Sequence, residues 1–297
     1  MKIRRSLGEH AFDGFNYLVL GLWAVITIYP LLFVLFSSVS DAGRLMAHRG
    51  LLLYPLGIDF SAYGIVLQNP MILRGYLNTF IVVVGGTAIN IIMSCLAAYF
   101  LSRKNLFWKK AVMLMITVPM FFGGGLIPSY LVVSGLGMRN SLLALMIPGA
   151  ISSFNVIVMR TSFMNLPDSL SESAYLDGAN DLQILVRVII PLSKAILAVM
   201  ALWYGVGHWN AWFGAAIYLD KRDLYPIQLI LREILLQNTN SEAVYQMTTN
   251  VDSEDAAQVA ETIKYAAIII ATVPILCVYP FLQKHFVKGV MIGALKG

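Results

Sequence analysis

Six stretches of the chain are long and apolar enough to cross a lipid bilayer: residues 15–39, 77–101, 111–133, 141–163, 194–219 and 262–283. A helix needs about 20 mostly apolar residues to span the hydrocarbon core, and each run supplies that length. The rest of the composition agrees. Of 297 residues, 58% are apolar and 12% charged, whereas a soluble domain carries about 25% charged residues. So little charge cannot clothe a water-exposed surface of this size. The same figures exclude a disordered chain, a collagen-like fibre and a disulfide scaffold. The expected fold is an all-α polytopic membrane protein with six transmembrane helices.

The first run follows Lys2, Arg4 and Arg5 and ends at Ser38-Val39-Ser40, the outline of a signal peptide. Its 25 residues exceed the roughly 7–15 of a signal core, so it reads as an uncleaved helix. Orientation follows from Lys and Arg, which favour the cytoplasmic side. With the N-terminus inside, 13 of the 21 basic residues and 6 of the 16 acidic ones fall on inner segments, leaving +7 inside and −2 outside. Four of those basic residues, Arg103, Lys104, Lys109 and Lys110, stand in the loop 102–110 alone. Both termini are therefore expected in the cytoplasm. The net charge of +5 then gives no reason to invoke nucleic acid, because it is the sum over two membrane faces.

None of the six runs contains Asp or Glu. Ion-coupled carriers keep such groups at depth, where a proton or cation needs a partner. The only ionisable side chain near a span centre is His208. Energy for transport must come from elsewhere, most simply from a cytoplasmic partner. Cys95 and Cys277 lie in apolar runs without metal-ligand or CxxC spacing, so both read as small buried hydrophobes.

The inner stretch 165–193 is longer than an ordinary helix-to-helix connection. Leu166-Pro167-Asp168-Ser169 starts a helix, with Asp168 or Ser169 placed to cap free N–H groups, and Asp177-Gly178 ends it. Asn180 or Asp181 starts a second segment, and Pro191 breaks into the fifth run. Two helical turns are not stable alone in water, so this helix must lie against its parent or a partner. The stretch Glu172-Ser173-Ala174-Tyr175-Leu176-Asp177-Gly178, followed by Val188-Ile189-Ile190-Pro191, resembles the EAA loop of binding-protein-dependent ABC importer permeases. Glu172, Ala174, Gly178 and Pro191 match the family pattern; Ser173, Val188 and Ile190 are small departures that keep its register. The resemblance implies a type I ABC importer permease fold and a coupling helix that docks into the ATPase subunit, with Glu172, Ser173, Ala174, Asp177, Gly178 and Pro191 as its coupling residues.

The tail from Lys288 to Gly297 is similar to that of the maltose-type permease subunit without a large external domain. The resemblance implies that Lys288, Gly289, Gly293, Lys296 and Gly297 reach between two ATPase subunits; a frayed basic end near anionic lipid is the alternative. Asn78-Thr79 and Leu224-Tyr225-Pro226 also look like carbohydrate permeases, and the whole chain most resembles the branch serving complex oligosaccharides. The implied partners are a second permease subunit, two cytoplasmic ATPase subunits, an extracytoplasmic binding protein, the oligosaccharide and membrane lipid, in a bacterial cytoplasmic (inner) membrane. No cofactor is expected in this chain, since ATP and Mg would be held by the ATPase subunits, and no catalytic residue is expected. Three parts follow: 1–76 with the first helix and an external loop, the permease core 77–283, and the tail 284–297.

In the fifth run, Tyr204, His208 and Trp212 are four residues apart and fall on one helical face, with Trp209 and Asn210 beside them. Such rings with polar tips suit sugars, whose CH faces stack while their hydroxyls need partners. These residues line a translocation path on that reading; on the other, they are an interfacial aromatic belt and a satisfied interhelix histidine. Gly123-Gly124-Gly125 between Pro119 and Pro128 breaks the third run, either as a hinge or cavity wall or for close packing. Outside, Pro226 opens a helix whose Ile227, Ile230, Leu231, Ile234 and Leu235 form a stripe against the membrane or the span ends. The polar segment 238–255 is expected either to meet the binding protein or to be a solvated loop. An ABC permease for another solute, a secondary transporter and a membrane enzyme are the competing readings. The missing carboxylates count against the second, and the lack of a nucleophile, base or metal cluster against the third.

Overall fold

The computed structural model describes residues 7–104, 106–236 and 260–278, and all of its regular elements are helical. The tail residues Lys288, Gly289, Gly293, Lys296 and Gly297, and the segment 238–255, lie outside the described residues. Two compact units emerge, one from residues 1–69 with 233–272 and one from 70–232 with 273–297.

In the first unit, α1 (Leu7–Ser38) is a 32-residue helix whose most apolar window is entirely unburied. It is followed by α2 (Ala42–Ala47), started by Asp41 accepting from Arg44 N, and α3 (Ser61–Gln68). The Ser38-Val39-Ser40 turn is a packed structural corner. Ser38 Oγ shares a 2.7 Å hydrogen bond with Tyr63, and Ser40 Oγ donates to Phe36 O while accepting from Leu56 N. Leu52 N donates to the Tyr29 hydroxyl, seating fully buried Leu52 beside α1.

The second unit is built on α4 (Pro70–Ser102), 33 residues without an internal break. After it come α5 (Lys109–Phe121), α6 (Leu126–Gly135), α7 (Leu143–Met146), α8 (Ser153–Met164), α9 (Asp168–Leu176), α10 (Asp181–Leu192), α11 (Lys194–Asn210), α12 (Phe213–Tyr218) and α13 (Ile227–Leu236), whose residues 233–236 belong to the first unit. The last described helix, α14 (Ala260–Val278), spans the boundary of the two units. Cys95, Ala98, Tyr99 and Leu101 of α4 form one core with Val156, Met159 and Phe163 of α8, Ile184, Leu185 and Ile189 of α10, and Met200 and Tyr204 of α11. Small residues let α4 approach its neighbours, which matters in lipid because close van der Waals contact and interhelical hydrogen bonds hold helices together there. A Cβ at Gly86 would stand 2.6 Å from His208 Nε2.

Among the described residues, three helices, α1, α4 and α14, are long and apolar enough to cross a membrane, and the bent pair α10–α11 qualifies if taken together. The runs at 111–133 and 141–163 are not single helices. The first stops at Phe121 and resumes at Leu126, with Gly125 at φ +83°, as the glycine triplet led us to expect. The second is interrupted over 147–152, around Pro148-Gly149, a break the apolar run concealed. The fifth run ends as a helix at Asn210 and continues as α12 after two residues. Pro191 lies inside α10, past a π-helical stretch at Leu185–Ile189, and α11 leaves at 88°. Cys95 is buried as expected, but Cys277 is exposed.

Candidate functional site

α9 is held in place by its parent chain, and its neighbours explain how. Asp168 does not cap the helix. Pro167 occupies the cap position without a side-chain bond, and the Asp168 carboxylate instead pairs with Lys104. That contact raises the Lys104 ammonium above its ordinary range. At the other end, Gly178 takes φ +83°, its N–H bonds to Tyr175 O at 2.9 Å and Ala179 N bonds to Ala174 O at 2.9 Å. These two bonds satisfy the final carbonyls of the helix in the Schellman arrangement, which needs a residue free to adopt positive φ. Asn180 then opens α10 with a reciprocal capping box to Gln183. Ala174 is half-buried against the core, while Glu172, Ser173 and Asp177 are exposed and Leu176 is 90% exposed. One side of α9 therefore packs on the chain and the other, with Ser173, Leu176 and Asp177, is left open, Glu172 standing exposed at the rim between them.

A polar cluster, which sequence reasoning missed, ties α9 and α10 to the C-terminal end of α4. Asp181 Oδ1 accepts from the Tyr99 hydroxyl at 3.0 Å, the Tyr175 hydroxyl at 2.5 Å and Arg103 Nη2 at 3.3 Å. The Arg103 guanidinium lies 4.6 Å from the Tyr99 ring and 5.3 Å from that of Tyr175, close enough for cation–π attraction. The hydrogen bond to Asp181, with some burial, pushes the Tyr175 phenol above its ordinary value against the opposing Arg103 charge. Arg160 Nε and Lys109 Nζ cap the last carbonyls of this stretch, at Leu101 O and Arg103 O. A cleft of about 440 Å³ opens beside the cluster, rimmed by Lys104, Asp168 and Glu172. The signal available in the sequence was the basic loop 102–110 facing the acidic stretch 168–181; nothing local showed that they touch.

The polar residues of the fifth run divide. Tyr204 and His208 face α4: the Tyr204 hydroxyl shares a 2.7 Å bond with Ser94 and accepts from Ser152 N, and His208 Nε2 lies 2.7 Å from Asn90 Oδ1. Asn90, fully buried, also donates to Gly149 O. Both side chains thus tie α4 and α11 to the backbone freed by the 147–152 break, where unpaired groups would otherwise be costly in lipid. Trp209 turns the other way, 6.4 Å from Tyr76, onto an apolar groove of about 860 Å³ between α4, α11 and the end of α14. Asn210 is exposed and bonds to its own helix at Val206 O. Trp212 leaves the shared face because the helix stops at Asn210; it packs against Phe213 beneath the Arg232 guanidinium.

At the N-terminal end of α4, two separately noted motifs meet. Asn78 Nδ2 donates to Asp223 O at 2.8 Å and Tyr225 O at 3.2 Å, and Thr79 Oγ1 accepts from Ile227 N at 2.9 Å. The Asn78-Thr79 pair therefore secures the start of α13 just after Pro226. Of the expected α13 stripe, Ile227, Ile230 and Ile234 are buried, whereas Leu235 is 40% exposed.

The pattern of the binding-protein-dependent transport system inner membrane component family matches residues 90–292, more than half of the chain. The chain belongs to that family. It is 36% identical over 287 residues to the polygalacturonan/rhamnogalacturonan transport system permease protein YtcP of Bacillus subtilis (strain 168), covering 96% of this chain and 98% of that one. It is 37% identical over 287 residues to Protein LplC of the same organism, covering 96% and 95%. Among solved structures, a chain of a bacterial ABC transporter involved in the import of the acidic polysaccharide alginate superposes with a TM-score of 0.88 at 31% identity, over 96% of this chain and all of that one. The type I permease fold of the family is therefore the fold of this chain. The family is one of inner membrane transport components, and the relative named for its cargo is a permease.

Proposed function

We propose that this chain is one of two permease subunits of an ATP-driven importer that takes up oligosaccharides, among them uronate-containing products of polysaccharide breakdown. It crosses the bacterial cytoplasmic membrane six times with both termini inside, spans three to five being interrupted helices. The observation that carries the reading is α9, anchored on one side by Lys104 and the Arg103 cluster and open on the other along Ser173, Leu176 and Asp177, with Glu172 at the exposed rim between the two. A helix held rigidly from behind and bare in front suits docking into a cytoplasmic ATPase, of which two would bind ATP and Mg. Glu172, Ser173 and Asp177 supply polar contacts there, Ala174 the seat on the core, Gly178 the turn, and Pro191 the stop before α11. The tail residues Lys288, Gly289, Gly293, Lys296 and Gly297 would insert between the ATPase subunits. The relatives named for polygalacturonan/rhamnogalacturonan and for alginate support an acidic saccharide.

A binding protein outside delivers the substrate, and ATP-driven closure of the ATPases moves α9 as a lever to alternate the access of a path bordered by Trp209 and Asn210. Tyr204 and His208, tied to α4, would shape that path by holding the helices around it. The test is reconstitution of the full complex in proteoliposomes with oligogalacturonate-loaded binding protein. ATP-dependent uptake is expected, and Glu172→Lys should abolish it. Uptake that persists without the ATPases, or that is unaffected by Glu172→Lys, would overturn the reading.

A further inference from the structure

Ties along α4 sit at three levels, and each meets a different working region. Its N-terminal end holds the segment 223–227 through Asn78 and Thr79. Its middle holds α11 and the 147–152 break through Asn90 and Ser94. Its C-terminal end holds α9 and α10 through Tyr99 and Arg103. At 33 residues the helix is roughly 50 Å long. Pro70 is its only proline and sits at the first position, so the hydrogen-bond ladder that follows is not interrupted. The other long elements of this unit are broken at 122–125 and 147–152, or bent by 88° between α10 and α11. A broken helix absorbs displacement at its break, whereas an unbroken one gripped at both ends passes it on.

We propose that α4 carries the docking signal across the membrane: binding protein arriving at the segment 223–227 displaces α4, and the Arg103 cluster hands that displacement to the coupling helix. Asn78 and Tyr175 are then positioning residues at opposite ends of one rod. This rests on the importer reading above, with the 223–227 end outside and α9 inside. Adjacency is not coupling, which is an energy between two sites and must be measured as one.

The experiment uses the complete complex of both permease subunits, both ATPases and oligosaccharide-loaded binding protein in proteoliposomes. The readout is the ratio of ATPase rates with and without the binding protein, together with the yield of assembled complex. Asn78→Ala and Tyr175→Phe are each expected to lower the ratio by at least about fivefold at normal yield. The double variant should fall no further than the worse single one, because a link already cut cannot be cut again. Thr79→Val, which keeps its shape and loses only the acceptor for Ile227 N, replaces Asn78→Ala if the latter fails to assemble. A wild-type ratio in either assembled single variant, or losses that multiply in the double, would overturn the proposal. A wild-type complex that binding protein does not stimulate would overturn the importer reading instead.

Discussion

Replacing Gly86 with alanine places a methyl group 2.6 Å from Nε2, 2.7 Å from Cε1 and 3.0 Å from Cδ2 of His208. Carbon atoms in contact prefer about 3.5–4.0 Å, so either the imidazole or α4 must move. The ring is not free to swing, since Nε2 is bonded to Asn90, whose amide is bonded in turn to Gly149 O. Forcing extra volume into a filled interior costs roughly 1–3 kcal/mol. Breaking the buried Asn90 contact adds about 1–3 kcal/mol, so the expected loss is about 2–6 kcal/mol. Denaturant-induced unfolding of the purified complex, followed by loss of subunit association, measures it. In a His208→Ala background the ring is absent, and Gly86→Ala should cost less than about 1 kcal/mol. An equal cost in both backgrounds, or none in the wild type, would refute the contact and with it the argument that glycine is there to admit His208.

Tyr204→Phe removes the hydroxyl shared by Ser94 and Ser152 N, and about 1–2 kcal/mol of stability should go with it; unchanged thermal stability would show that water replaces it. Gly178→Ala puts a side chain at φ +83°, costing about 1–2 kcal/mol, so amide exchange along α9 should quicken and uptake fall, with Gly178→Asn milder. Because Asp181 raises the Tyr175 pKa, the neutral phenol is favoured in the folded chain. Its contribution is fully present below the ordinary tyrosine value and is lost only as pH rises through the raised one, so the binding-protein-stimulated ATPase ratio should owe no pH dependence to this cluster near neutrality. A Tyr175-dependent titration there, absent from Tyr175→Phe, would contradict the assignment.

Much of the site could be read from the linear chain because it depends on local rules. Gly178 ends α9 since the residue there needs positive φ, and the capping box of Asn180 and Gln183 is a four-residue pattern. The glycine triplet broke the third run where expected. The cap assigned to Asp168 or Ser169 failed because the helix already begins at Asp168, with Pro167 in the cap position, and the Asp168 carboxylate turns to Lys104. Trp212 fell off its predicted face because helical periodicity holds only while the helix lasts, and α11 stops at Asn210. The Pro148-Gly149 break was hidden inside an apolar run, since hydropathy records transfer into lipid and not backbone continuity.

The sequence by itself determined that the chain lives in a membrane, that its charges crowd into connecting segments, and that one of those segments holds a helix ended at Gly178. Each follows from composition, spacing or a local backbone requirement. Only the tertiary structure decided what Asn78, Asn90, Arg103 and Asp181 are for, because their partners lie far along the chain and in different helices. In lipid such polar groups must find one another, and which ones meet depends on how closely α4, α9 and α11 approach. Close approach of α4 and α11 rests on the absence of a side chain at Gly86.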